Sequence, residues 1–176
     1  KLGIDKVRDR FVGRAVLVDI VAYKGGTLAP GYGITRADIE GALKKQKSTV
    51  KTGDIVLVRT GAVPHYYNLP LDERPNWVNV QTGITKDVVP WIRDTQIAAI
   101  AADNLGVEQA PNAEGKNWNL HGNILRDLGV FLGEIWWLED LAADCAEDGR
   151  YEFFLSAQPL YIPGAVGSPI NPIAVK

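Results

Sequence analysis

The chain holds no methionine, a single cysteine and only two histidines among 176 residues. A lone Cys145 excludes an internal disulfide framework and fits a reducing compartment, so a cytoplasmic location is expected. No apolar run approaches the roughly 18 residues of a membrane span, because charges, glycines or prolines interrupt each of them. Neither sign of charge dominates: 19 Lys and Arg stand against 21 Asp and Glu, a formal charge of -2. With no basic run either, nucleic acid and membrane surfaces are excluded as main partners. Two nucleotide and hydrolase signatures are missing as well. Gly164-Ala-Val-Gly167 lacks the Gly-Lys-Ser/Thr that completes a phosphate loop, and no Gly-x-Ser-x-Gly nucleophile elbow occurs. The opening on Lys1 and the lack of Met mark a processed chain or a piece of a longer one, whose targeting segment, if any, lies upstream.

What remains is the composition of one soluble domain spanning residues 1–176, with 46% hydrophobic and 23% charged residues. A chain of this length buries roughly 70% of its unfolded surface without disulfides or a structural metal. Short apolar runs alternate with helical patterns. Ala15 to Ala22, Asp54 to Thr60, Ile97 to Ala102 and Tyr151 to Ala157 read as strands, and Val130 to Leu132 as a shorter one. Thr35 with the following Arg-Ala-Asp reads as a capping box that opens a helix to about Lys47. Further helices are expected after Thr85, from Leu120 to Asp127 and from Leu138 to Glu147. Ala62 to Thr82 has no periodicity and collects prolines and aromatics, so it reads as a long loop, either a binding lid or an arm against another subunit. The proline-rich tail reads as an extended wrap. Strands alternating with helices define an α/β class with a parallel or mixed sheet.

Few residues offer chemistry. Cys145 lies in an amphipathic helix beside Asp144, where neighbouring acids disfavour the thiolate, so it reads as structural. His65 reads as a loop or interface residue. His121 opens a helix that stops at Gly129, and Glu134 lies beyond the next short strand. A helix followed by a returning strand can bring the two to one crevice, where they could ligate a divalent ion such as Zn or Mn. Spacing equally allows a capping His and a surface Glu. Asp103, Asn104 and Ser168 are either site residues or turn residues.

The stretch Leu120-His-Gly-Asn-Ile-Leu-Arg-Asp-Leu-Gly-Val-Phe-Leu-Gly-Glu134 resembles the late signature of the cyclase family that includes bacterial kynurenine formamidase and isatin hydrolase. Gly53-Asp-Ile-Val-Leu-Val-Arg-Thr-Gly61, Ala101-Ala-Asp-Asn104, Leu141-Ala-Ala-Asp-Cys-Ala-Glu-Asp-Gly149 and Gly164-Ala-Val-Gly-Ser-Pro-Ile-Asn-Pro172 are similar to segments of its longer members. The resemblance runs from about Phe11 to Lys176. It implies a compact mixed-sheet domain of the swivelling β/β/α type. It also implies an oligomeric metal-dependent amidohydrolase that directs a metal-bound water, on Zn or Mn, at the carbonyl of a small cyclic or formyl amide. His121 and Glu134 resemble the metal-site His and Glu of that family. Tyr66, Tyr67 and Trp77, with Trp136 and Trp137, would line an aromatic substrate pocket or a subunit interface. By analogy with kynurenine formamidase the activity would belong to tryptophan catabolism.

One departure matters. The family's main metal motif, a His-x-Gly-Thr-His-x-Asp-x-Pro-x-His pattern, has no counterpart here. It would supply most of the metal ligands and the general base. This chain is therefore expected to be the carboxy-terminal part of a longer enzyme, inactive alone, completed by the missing amino-terminal segment within a homodimer or larger homo-oligomer. The alternatives are a catalytically inactive subunit or fragment serving as a binding or structural module, and a small-molecule binder that uses the Ala62 to Thr82 loop.

Overall fold

The computed structural model describes residues 3–176. Strand β1 (Val12–Asp19) is followed by the short helix α1 (Ile20–Lys24), then β2 (Gly33–Ile34), α2 (Arg36–Gln46), β3 (Ile55–Arg59), α3 (Ala62–Asn68) and β4 (Gly83–Ile84). The second half adds α4 (Val88–Thr95), β5 (Ala99–Ala102), a π-helical turn at Gly122–Asp127, β6 (Phe131–Gly133), α5 (Glu139–Asp148), β7 (Glu152–Ser156) and β8 (Ile173–Val175). Six strands form one sheet in the order β6-β5-β3-β1-β7-β8, and β2 pairs with β4 in a separate two-stranded ladder. Pairing is parallel from β1 through β3 and β5 to β6, and antiparallel from β1 to β7 and from β7 to β8. The mixed α/β class expected from the sequence is the class observed.

The continuous apolar runs of β1, β3 and β5 follow from burial on both faces. Val16, Val18, Val56, Val58, Ile100 and Ala102 face one core, packed against Ile39 and Leu43 of α2, Trp91 and Ile92 of α4, and Ile124. Their alternate neighbours Ala15, Leu17, Ile55, Leu57, Ala99 and Ala101 face a second core with Trp136, Ala142, Cys145, Phe153 and Leu155. The sheet is thus the middle layer between helices. Arg59 at the end of β3 ties the layers together, donating two bonds to Glu139 at 2.7 and 2.8 Å and two to Asp19 at 3.0 and 3.1 Å.

Local chemistry explains where elements start. The capping box of α2 is present: Thr35 accepts from the Asp38 amide at 3.2 Å and Asp38 accepts from the Thr35 amide at 3.0 Å. The strand expected over Ala15 to Ala22 is shifted: β1 begins at Val12 and ends at Asp19. There the Asp19 carboxylate accepts from the Ala22 amide at 2.9 Å and turns the chain into α1. The expected loop from Ala62 to Thr82 is also corrected. It contains α3 and a 3₁₀ helix at Arg74–Asn79. Gly61, at φ 79°, makes the left-handed turn into α3. Pro64 falls in its first turn, where an amide has no intrahelical partner to lose. The tail ends in β8, exposed at all three residues and paired with β7 alone, an edge position that the preceding prolines permit. Ser168 lies in the extended part of that tail, accepting from the Leu160 amide and donating to the Pro169 carbonyl.

Cys145 is buried in the second core, and burial, the largest cause, pushes its thiol up to about 11. The thiol form dominates at pH 8. Native protein is therefore expected to resist iodoacetamide at pH 8 while the urea-unfolded chain gains one adduct, read by intact mass. Rapid labelling of the native state would refute this burial.

Candidate metal and substrate site

The carboxyl ends of β3, β5 and β6 converge on one edge of the sheet, where open parallel sheets place their ligand crevices. Each strand delivers a polar group there. Asp103 follows β5, is fully buried, and accepts from the Thr60 and Gly61 amides, both at 2.7 Å. Burial pushes its pKa up, and the hydrogen bonds from Thr60 and Gly61 pull the other way. Asp103 thereby fixes the loop that launches α3. Asn104, also fully buried, donates to the Thr82 carbonyl at 2.7 Å and accepts from the Val107 amide at 2.7 Å. Its own carbonyl accepts from the Ile135 amide at 2.9 Å. One asparagine therefore joins the segment leading to Glu108 to the segment that carries Glu134. Both residues, unplaced from sequence, are scaffold for this edge.

The structure brings His121 and Glu134 together. His121 Nε2 lies 3.0 Å from Glu134 Oε1, across the break at Gly129, whose φ is 70°. The ring is half-buried, and its Nδ1–H donates to Glu108 Oε1 at 2.6 Å. Glu108 was not singled out in the sequence. It sits in the irregular segment after β5, with no fixed spacing to His121 that a pattern could register. Its side chain is 3% exposed, against 40% for Glu134. Glu108 also accepts from the Leu120 and His121 amides at 2.9 and 3.1 Å, satisfying the amino end of the π-helical turn from a distance of 12 and 13 residues. Glu108 first and Glu134 second hold the His121 pKa up at about 9.

Backbone conformation marks the same three residues. Among the described residues, five non-glycine residues have positive φ. Lys47 and Gln96 are ordinary helix ends, closing α2 and α4. The other three are Val107 at 64°, Trp118 at 58° and Ile135 at 58°. They stand immediately before Glu108, three residues before His121 and immediately after Glu134. For β-branched Val and Ile this conformation is strained, and such strain collects where side chains must be aimed. The ring of Trp118 meets His121 edge-on at 5.9 Å between centroids.

The aromatic candidates also form a group. Tyr66 packs on Tyr67 at 5.4 Å and on Trp77 at 5.2 Å, and Tyr67 reaches Trp137 at 6.2 Å. The Arg74 guanidinium lies 5.2 Å from the Tyr66 centroid. Tyr66 and Trp77 are half-buried, and Tyr67 and Trp137 are exposed. Trp137 lies three residues past Glu134, so the group borders the segment that carries the carboxylate. Trp136 does not belong to it: it is buried in the second core, 6.4 Å from Phe11. His65 is exposed on α3.

Whether these residues suit a divalent cation can be tested on their donors. A ring whose Nδ1–H is held by a carboxylate would offer Nε2 as its ligand atom once a cation displaces the proton that Nε2 shares with Glu134, the usual arrangement of metal-bound histidine. Nε2 and Glu134 Oε1 lie near enough to share one ion. That pair supplies two donors, and among the described residues no group of three or more His, Cys, Asp or Glu side chains is arranged to hold a metal. The residues fit part of a site, since zinc takes at least three protein ligands.

Comparison with known proteins places the fold. The family profile described as "Putative cyclase" matches residues 1–109. The chain belongs to this cyclase family. The crystal structure of a novel cyclase is 60% identical to it, with a TM-score of 0.94 over 99% of this chain and 57% of that one. Isatin hydrolase A from Ralstonia solanacearum is 19% identical, with a TM-score of 0.73 over 98% of this chain and 63% of its own. A protein described as a predicted metal-dependent hydrolase from Bacillus stearothermophilus is 21% identical, with a TM-score of 0.62 over 94% and 64%. The last two likenesses speak for the fold alone. No curated protein sequence matches. The chain thus spans 57 to 64% of the length of these structures. No helix among the described residues is long and apolar enough to cross a membrane.

Proposed function

We propose that this chain forms one wall of a metal-dependent hydrolase acting on a small cyclic or formyl amide. The observation that carries the reading is the alignment of Glu108, the His121 ring and Glu134, with Nε2 and a carboxylate oxygen 3.0 Å apart at the carboxyl edge of the sheet. In this reading His121 and Glu134 are ligands of a Zn or Mn ion, whose chemistry when bound is to acidify a water and polarise an amide carbonyl. Tyr66, Tyr67 and Trp77 supply flat apolar surface for an aromatic amide. The remaining ligands and the general base come from outside this chain, from the rest of the natural polypeptide or a second copy in a homodimer or larger homo-oligomer. A soluble, cytoplasmic setting suits the single buried thiol.

Family membership and the names of the two hydrolase neighbours support this reading. The test uses the full natural polypeptide, stripped of metal by dialysis against a chelator, with N-formylkynurenine and isatin as substrates. Hydrolysis is expected to vanish on stripping and return with Zn or Mn. A polypeptide that holds the metal but turns over no formyl or cyclic amide would overturn the substrate class. Failure to bind any divalent ion would favour the second reading, an inactive binding or structural module, which the two-donor set within this chain also suits.

A further inference from the structure

We propose that Glu108 is a positioning residue for His121: by holding the Nδ1–H of the ring it fixes Nε2 as the nitrogen that faces Glu134 and the cation. This rests on the metal reading given above and adds which nitrogen binds and what decides it.

The first observation is the burial of Glu108 with no Lys or Arg beside it. Its carboxylate is 3% exposed, and its only ion-pair partner among the described residues is His121. A buried carboxylate costs several kcal/mol unless it is paired and hydrogen-bonded. Capping the π-helical turn would need only a neutral acceptor, such as the Asn or Ser that caps most helices from an adjacent position. A carboxylate there is matched when positive charge gathers on the imidazole, as imidazolium in the metal-free ring and through a cation shared by Nε2 and Glu134 when one is bound. The exposures agree with this division: the carboxylate that orients is enclosed, and the one that ligates reaches the open side.

The second observation is how firmly Glu108 is held. The Glu108 backbone runs against β4, where the Ile84 amide donates to the Val107 carbonyl at 3.0 Å and the Gln109 amide to the Ile84 carbonyl at 3.0 Å. Gly83 lies so close that a Cβ there would stand 2.4 Å from the Glu108 carbonyl carbon and oxygen. Only glycine permits that approach. On the other side Asn104 fixes the left-handed Val107. Both Glu108 oxygens are committed, Oε2 to the Leu120 amide and Oε1 to the His121 amide and ring. The ring cannot turn over without breaking the Nδ1 bond, because the amide contact places Oε1 on the Nδ1 side.

The experiment uses the full natural polypeptide with ¹⁵N-labelled histidine. The metal-free protein is loaded with ¹¹³Cd as a spin-active substitute for zinc, and His121 is assigned from the signal lost in His121→Ala. Cadmium is expected to couple to Nε2 of His121, while Nδ1 keeps a proton that exchanges slowly with water. In Glu108→Gln, zinc affinity, read by competition with a chromogenic chelator, is expected to fall roughly tenfold to a hundredfold, with the Nδ1 proton exchanging faster. Cadmium coupling to Nδ1 in the parent protein overturns this proposal alone, and that readout needs no variant to fold. Zinc binding by a folded Glu108→Gln within twofold of the parent, with an unchanged Nδ1 signal, overturns it as well. Coupling to neither nitrogen of the parent overturns the metal reading together with it.

Discussion

In the full natural polypeptide, His121→Ala or Glu134→Gln is expected to remove bound divalent metal and to lower kcat/KM for amide hydrolysis by at least about 10³-fold. The magnitude follows from what a Lewis-acid ion contributes to a charged transition state, several kcal/mol, of which about 4 kcal/mol corresponds to that factor. Either change removes one donor of the pair at 3.0 Å. Glu134→Gln is not expected to unfold the protein, because Glu134 is exposed, whereas His121→Ala leaves the buried Glu108 carboxylate without its ion-pair partner and should lower stability as well. In Glu134→Gln, loss of rate should therefore coincide with loss of metal at unchanged thermal stability of the metal-free state. His65→Ala, on the exposed side of α3, should leave metal content and rate unchanged. Metal content by elemental analysis and rate on the same samples decide the matter. If either His121→Ala or Glu134→Gln keeps its metal and full rate, the assignment is wrong.

The second large effect is one of stability. Asp103→Ala is expected to cost roughly 2–6 kcal/mol, because it strands the buried Thr60 amide and the half-buried Gly61 amide, each worth about 1–3 kcal/mol when left unsatisfied. Both donors, at Thr60 and Gly61, lie where β3 turns into α3, and each bond is 2.7 Å. In a chain of this size that corresponds to a fall in Tm of roughly 4–24 °C. Asp103→Asn keeps one acceptor but turns an amide donor toward a backbone N–H, so its cost should be smaller without vanishing. Urea unfolding of both variants checks the order. An Asp103→Ala protein as stable as its parent would mean that water replaces the carboxylate at this turn. The effect should also reach the aromatic group, since Tyr66 and Tyr67 ride on α3. A local loosening there would appear as increased proteolysis between residues 62 and 79.

How much of this was legible in the amino-acid sequence differs by element. β3, β5 and β7 lie within one or two residues of their expected bounds, and α2 opens at its capping box. Local signals suffice where a β-branched run ends at a turn or a cap names its own helix. α3 was missed because Pro64 and its aromatics hide a helix whose start depends on a left-handed Gly61 and on packing among Tyr66, Tyr67 and Trp77. The β2–β4 ladder was missed because two residues per strand carry no periodicity. At the site, His121 and Glu134 were nameable because each lies in a motif-bearing segment. Glu108 was not, since its partners are 12 and 13 residues away through an aperiodic loop.

The order of β1, β3, β5, β6 and β7, the burial of the central strands on both faces, the capping box of α2 and the inert character of Cys145 are determined by the sequence alone, through periodicity, hydrophobicity and local hydrogen bonding. Only the tertiary structure decided that β7 runs antiparallel to both of its neighbours, β1 and β8, that Trp136 is core while Trp137 is surface, and that Glu108 and Glu134 meet opposite nitrogens of one imidazole. Those outcomes depend on contacts between residues distant in the chain. Short-range preferences leave such pairings open, and burial and hydrogen-bond satisfaction over the whole sheet select among them.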